Sequence, residues 1–139
     1  MKQERTNKVP AALRGVGAAI ALAAMIVSAV AQLSPHWQAC TGNPDIDWDQ
    51  QIKSCTALIQ SGTELKENVA IAYYNRALAY ENKDDYARAI ADYDEALRLN
   101  PNDADALLYR GLDKQRLGDK AGGEADVAAA KRINPNIGK

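Results

Sequence analysis

The phrase Leu99-Asn100-Pro101-Asn102 returns as Ile133-Asn134-Pro135-Asn136, at an offset of 34. At the same offset Asn75-Arg76-Ala77-Leu78 is echoed by Tyr109-Arg110-Gly111-Leu112, and Asp84-Asp85 by Gly118-Asp119. A fixed period of this size means that one supersecondary unit is stacked on copies of itself, each burying its apolar face against the next.

Each unit reads as two helices. The segment Asn68 to Asn82 carries Ala70, Tyr73, Tyr74, Ala77, Leu78 and Tyr80 at helical spacing, and Lys83-Asp84-Asp85 breaks it. Tyr86 to Leu99 then carries Ala89, Ile90, Tyr93, Ala96 and Leu97 in a three-and-four pattern. Asn100-Pro101 stops that helix, because the residue before a proline is driven out of the helical region. Asp103 or Asn102 caps the next one. Ala104 to Leu117 and Lys120 to Ile133 repeat the scheme, with Gly118 as the stop between them. Ala and Leu dominate the apolar residues and β-branched runs are scarce, which favours helix throughout. A degenerate half unit lies upstream. Asp47-Trp48-Asp49-Gln50-Gln51-Ile52 parallels Asp85-Tyr86-Ala87-Arg88-Ala89-Ile90 at an offset of 38, so the loop Ser61 to Lys66 carries about four extra residues. The expectation is an all-α chain of five helices, the first running from Asp47 to Gln60.

These residues resemble the tetratricopeptide repeat family. Its pattern of a large aromatic, a small residue and a tyrosine on the first helix is met by Tyr73, Ala77 and Tyr80. The second-helix pattern is met by Ala89, Tyr93, Ala96 and the closing Pro101. The next unit shows Leu107, Gly111, Gly123, Val127, Ala130 and Pro135, but Lys114 replaces the tyrosine and Ala121-Gly122-Gly123 weakens its last helix. The resemblance implies an α-α superhelix of about two and a half repeats: a half repeat over 46–61 and repeats over 67–103 and 104–136. It also implies that the first helix of each repeat lines a concave face that binds a protein or peptide. On that face fall Tyr74, Asn75, Leu78, Glu81 and Asn82, then Leu108, Tyr109, Leu112, Gln115 and Arg116. Exposed rings there would give contact area, and amides would pair with a peptide backbone. The cluster of Lys and Arg with which some members clamp a C-terminal carboxylate is mostly missing, Asn75 being the main polar match.

Arg76 and Arg110 stand where the family usually has Leu, and Asp92 and Asp126 follow them at one shared offset of 16. The shared spacing predicts one structural pair made twice, Arg76 with Asp92 and Arg110 with Asp126, since a buried Arg needs a partner. The other reading makes these arginines anchors for an acidic ligand. The family's Leu predicts that Arg76→Leu is mild.

Lys2, Arg5, Lys8 and Arg14 make the start of the chain basic, and Gly15 to Ala31 has no charge. With Ala29-Val30-Ala31 before Gln32, residues 1–31 read as a signal peptide. The alternative is an uncleaved membrane anchor, although the apolar run falls short of the ~20 residues that span a bilayer. Either exports the rest of the chain, to the periplasm or beyond. Residues 32–45 read as a linker holding Cys40, with Trp37 in an unstructured tail and Trp48 in the core. In an oxidising compartment Cys40 and Cys55 pair, and closing a loop of about 15 residues adds ~3 kcal/mol. His36 with the two cysteines would make at most three zinc ligands, one short of a structural site, so no metal is expected.

No nucleophile has a base beside it in the sequence and no phosphate-binding glycine loop is present, so neither catalysis nor a cofactor is expected. A net charge of -1 gives no electrostatic reason for a nucleic-acid partner. What remains is a protein- or peptide-binding scaffold of the cell envelope, touching membrane only through residues 15–31 if they are not cleaved. The alternative is a structural subunit that self-associates into a homo-oligomer through its uncapped C-terminal repeat.

Overall fold

The computed structural model describes residues 7–8, 35–41 and 47–139. Among these lie six helices and no strand: α1 Pro35–Thr41, α2 Trp48–Ser61, α3 Lys66–Asn82, α4 Tyr86–Leu99, α5 Ala104–Arg116 and α6 Lys120–Ile133. From α2 onward each helix packs on the next in chain order, giving the all-α succession of hairpins that the repeat period requires.

Aspartates begin four of the helices. Asp47, Asp85, Asp103 and Asp119 each accept a hydrogen bond from the backbone N–H three positions on, at 2.8, 3.1, 3.1 and 2.9 Å. That satisfies one of the donors a helix start leaves open and places negative charge at its positive end. The turn inside each hairpin is also the same object made twice. Asp84 and Gly118 both take left-handed backbone, at φ 59° and 93°. Behind them Asp85 N donates to Tyr80 O and Asp119 N to Lys114 O, each at 2.9 Å. The second repeat has the glycine that such a turn favours, whereas the first uses Asp, whose carboxylate accepts from Tyr86 Oη at 2.7 Å.

The main core gathers Tyr74, Leu78, Tyr93, Leu97, Leu107 and Leu108 with buried alanines between them. Small residues set how closely the helices approach. A Cβ on Gly111 would lie 2.7 Å from the Gly123 carbonyl oxygen, and one on Gly123 would lie 2.5 Å from that of Gly111. The two glycines of α5 and α6 are thus a backbone crossing, and Gly123 is a packing requirement more than a flaw in the last helix. The same repeat positions hold Ala77 and Ala89, both fully buried.

A second apolar cluster holds Trp37, Cys40, Cys55, Leu58 and Ala72, with Cys40 and Cys55 joined in a disulfide. Here the structure departs from the sequence reading. The stretch expected to be a linker contains α1, which packs on α2 and α3, so the described helices number six and not five. The two tryptophans exchange roles: Trp37 is buried at 5% exposure with its indole N–H donating to Glu64 at 3.0 Å, while Trp48 is 42% exposed. The cause is local. The disulfide fixes α1 against α2, and α1 then has an apolar face to bury, whereas Trp48 sits on the first turn of α2 beside its polar cap. At the other end, turns follow α6 and return Ile137 to the main core, at 7% exposure. No helix among the described residues is long and apolar enough to cross a membrane, and the 15–31 stretch with its cleavage motif lies outside the described residues.

Candidate functional site

Helices α3, α4 and α5 each contribute one of three tyrosines to a shared cluster. The Tyr74 and Tyr93 rings are 5.8 Å apart edge to face, Tyr74 and Tyr109 are 6.3 Å apart, and Tyr93 stacks on Tyr109 at 6.4 Å. Tyr74 is therefore held as a fixed plate, only 2% exposed. Beside it, Asn75 is fully buried.

Across this surface lie residues 7 and 8. Lys8 N donates to Asn75 Oδ1 at 2.9 Å, and Asn75 Nδ2 donates back to Lys8 O at 2.9 Å. One amide side chain thus satisfies both main-chain groups of one residue, as a neighbouring β-strand would. The Lys8 ammonium sits 3.9 Å over the centre of the Tyr74 ring. It is ion-paired to Asp103 and lies 3.6 Å from Asp105 at the start of α5. Upstream, Asn7 Oδ1 accepts from Gln51 Nε2 of α2 at 3.3 Å, and Gln51 also donates to Cys40 O at 3.0 Å. Gln51, Asn75, Tyr74 and Asp103 therefore form one track, contributed by α2, α3 and the start of α5.

The arginines lie on other sides of the same helices. Arg76 Nε and Nη2 donate to the two carboxylate oxygens of Asp92 at 2.7 and 2.8 Å, and Nη1 donates to Thr56 Oγ1 at 2.8 Å. Arg110 repeats the fork on Asp126 at 2.7 and 2.6 Å, with its Nη1 on Asp94 at 2.6 Å. Each guanidinium joins the two helices of its own unit and reaches back to the preceding helix. Thr56 and Asp94 stand at the offset by which the half repeat aligns with the first full one. The two carboxylates differ in their acidity. Burial pushes Asp92 up further than the Arg76 hydrogen bonds pull it down, so it titrates above the ordinary value. Burial also pushes Asp126 up, but hydrogen bonds from Arg110 and Lys114 together outweigh it and hold it below that value. Lys114, the odd residue at the family's tyrosine position, is the second cation there, 2.9 Å from Asp126.

Residues 70–103, covering most of α3 and all of α4, match the sequence model of the tetratricopeptide repeat. That segment is one tetratricopeptide repeat. No curated protein matches the chain.

The residues expected on the concave face divide. Tyr74 and Asn75 meet Lys8. Leu78 and Leu108 are core residues, and Tyr109 and Leu112 are half-buried against that core. Asn82 donates to the Leu78 carbonyl of its own helix at 2.8 Å. Arg116 is engaged by Glu81 at 2.8 Å and Asp113 at 3.1 Å, with its guanidinium 5.0 Å over the Tyr86 ring. The rings expected to be exposed are thus largely consumed by the joint between repeats. In a repeat stack this short, the aromatics that give contact area are also needed to hold one hairpin to the next.

Sequence reading does not anticipate the roles of Gln51, Asp103 and Asp105. Asp103 does carry a signal, since it reads as a helix cap, and a cap is a carboxylate held at a known place. Its Oδ1 accepts from Ala106 N and also meets Lys8. Nothing local marks Gln51, which sits on a helix whose register to α3 is set by the longer loop. The disulfide removes Cys40 and Cys55 as metal ligands, and among the described residues no group of three metal-binding side chains comes together.

Proposed function

We propose that this protein is a non-catalytic scaffold that holds an extended segment of another protein along the Gln51–Asn75–Asp103 track, in an oxidising compartment of the cell envelope. The observation that carries the reading is the Asn75 amide. It is fully buried, and it pairs with the N–H and the C=O of a single residue. Main-chain pairing reads the conformation of a segment and not its side chain, which suits a site for peptides. Each such bond adds about 1 kcal/mol net, and a buried amide left unpaired costs more than that. The disulfide is compatible with an exported location, because such bonds persist where thiols are not kept reduced.

The test is a panel of labelled extended peptides of unrelated sequence, titrated against the wild-type chain and against Asn75→Ala and Asn75→Asp. Every peptide that binds should weaken about fivefold or more with both variants, since aspartate keeps an acceptor but loses the donor. Binding that ignores Asn75 would refute the site.

Self-association through the last repeat finds some support in Leu117 and Ile133, large apolar side chains 55% and 43% exposed. It has less behind it than the peptide site. The outward residues of α6 include Glu124, Ala125, Ala128, Lys131 and Arg132, which offer no large apolar surface. Sedimentation across a concentration range separates the two readings, because only the second requires a dimer that Ile133→Glu dissolves.

A further inference from the structure

We infer that the track is selective for a segment that presents a lysine at the clamped residue, with Tyr74, Asp103 and Asp105 forming the lysine site. The inference rests on Asn75 as a main-chain clamp and adds what the clamp alone lacks, a preference for one side chain. Three features of the site suit an ammonium. The face of Tyr74 supplies the negative side of a ring quadrupole 3.9 Å from the charge. Asp103 and Asp105 supply two carboxylates on one side of it. The pair with Asp103 is partly withdrawn from water, the Lys8 and Asp103 side chains being 18% and 13% exposed, so salt screens it less than a surface pair. The walls of the site are also held by contacts within the helical stack. Tyr74 is wedged by Tyr93 and Tyr109, and Asp103 is held by the backbone it caps.

Lys8 of the chain itself shows the fit. Should residues 15–31 act as an export signal, that lysine does not stay with the domain. Cleavage before Gln32 removes it, and an anchor across a bilayer puts residues 7–8 on the opposite side from residues 35–139. In either exported form the lysine site meets a lysine from another chain. Before export, Lys8 occupies it in cis.

The test uses the full chain carrying Lys8→Ala, which clears the lysine site, and a fluorescein-labelled peptide of residues 1–14 followed by anisotropy. A second peptide carries Lys8→Ala and keeps Lys2 and Arg5 as a control for general attraction. The first peptide should bind about tenfold more tightly than the second, the range of one partly buried charge-assisted contact. Adding Asp103→Asn to the chain should close that gap to about twofold, while melting stays put because Asn caps a helix as well as Asp does. Adding Asn75→Ala should instead weaken both peptides by the same factor. The wild-type chain should bind the first peptide several-fold more weakly than the Lys8→Ala chain, as its own segment competes. Equal binding of the two peptides, both weakened by Asn75→Ala, would overturn the lysine site and leave the clamp standing. If neither peptide binds, or if Asn75→Ala changes nothing, the reading of the track itself fails. Equal affinity of wild-type and Lys8→Ala chains would overturn the seating of Lys8 in cis.

Discussion

Removing Arg76 and removing Asp92 should not be equivalent, and the difference can be worked from the contacts. The guanidinium makes two hydrogen bonds to the carboxylate at 2.7 and 2.8 Å, with side-chain exposures of 16% for Arg76 and 9% for Asp92. Arg76→Leu leaves a carboxylate buried among α3 and α4 with no cation on it. The usual cost of breaking a buried pair from one side is ~3–5 kcal/mol, and partial exposure puts this site at about 3 kcal/mol. Asp92→Leu should cost less, about 1.5 kcal/mol, because Arg76 keeps Thr56 and its long side chain can swing to water. With both replaced by Leu, no charge is stranded, and the loss should be about 1.5 kcal/mol, giving a coupling of about 3 kcal/mol. Urea unfolding followed by circular dichroism measures all four corners. At a slope of roughly 1.5 kcal/mol per molar, Arg76→Leu lowers the midpoint by about 2 M and the double change by about 1 M. The family's Leu at this position does not make the single change mild, since here Asp92 faces it. Additive losses, with the double variant the least stable of all, would refute the staple and restore the reading of Arg76 as a free ligand anchor.

Reducing the Cys40–Cys55 disulfide should lower stability by about 3 kcal/mol, the entropy of closing so short a loop, and a melt with and without reductant reads it. Gly111→Ala should destabilise by more than ~1 kcal/mol even though alanine is the better helix former, because its Cβ would sit 2.7 Å from a backbone oxygen of α6. An unchanged or raised urea midpoint would show that α5 and α6 do not cross there. Acid should loosen the second repeat before the first. Asp126 titrates below its ordinary 3.8 in the folded chain, so its contribution is complete above pH 3.8 and is lost as pH falls through the lowered value. Asp92 titrates above 3.8, so its folded state takes up a proton first, and acid strengthens its contribution relative to neutral pH. Amide exchange by NMR at about pH 5 and about pH 3 should therefore show α5 and α6 losing protection ahead of α3 and α4, and the reverse order would contradict the assignment.

Much of the fold was legible because its signals are local and made twice. The break at Asn100-Pro101 and the turn residues Asp84-Asp85 and Gly118-Asp119 act within a few residues of themselves, so reading them needs no knowledge of packing. The Arg–Asp forks were legible for a related reason. A fixed separation across a hairpin of known turn length brings two side chains together wherever the hairpin forms. Burial was less legible. Trp37 and Trp48 could not be ranked from sequence, because which of them is covered depends on where α1 docks, and a disulfide that ties α1 to α2 decides that. Glu81 and Asp113 are buried beside Arg116, and nothing in the apolar periodicity of α3 or α5 singles out these acids as interior.

The amino-acid sequence by itself determined that helices form, where they stop, and that they stack at a fixed period, since caps, prolines and apolar spacing act along the chain. Only the tertiary structure decided which side chains come together on one surface. Tyr93 and Tyr109 went to the seam between repeats, Arg116 went to buried acids, and the track was assembled from Gln51, Asn75, Tyr74 and Asp103 across three helices. That choice depends on how closely neighbouring helices approach, and closeness is a property of surfaces in contact that no single segment carries.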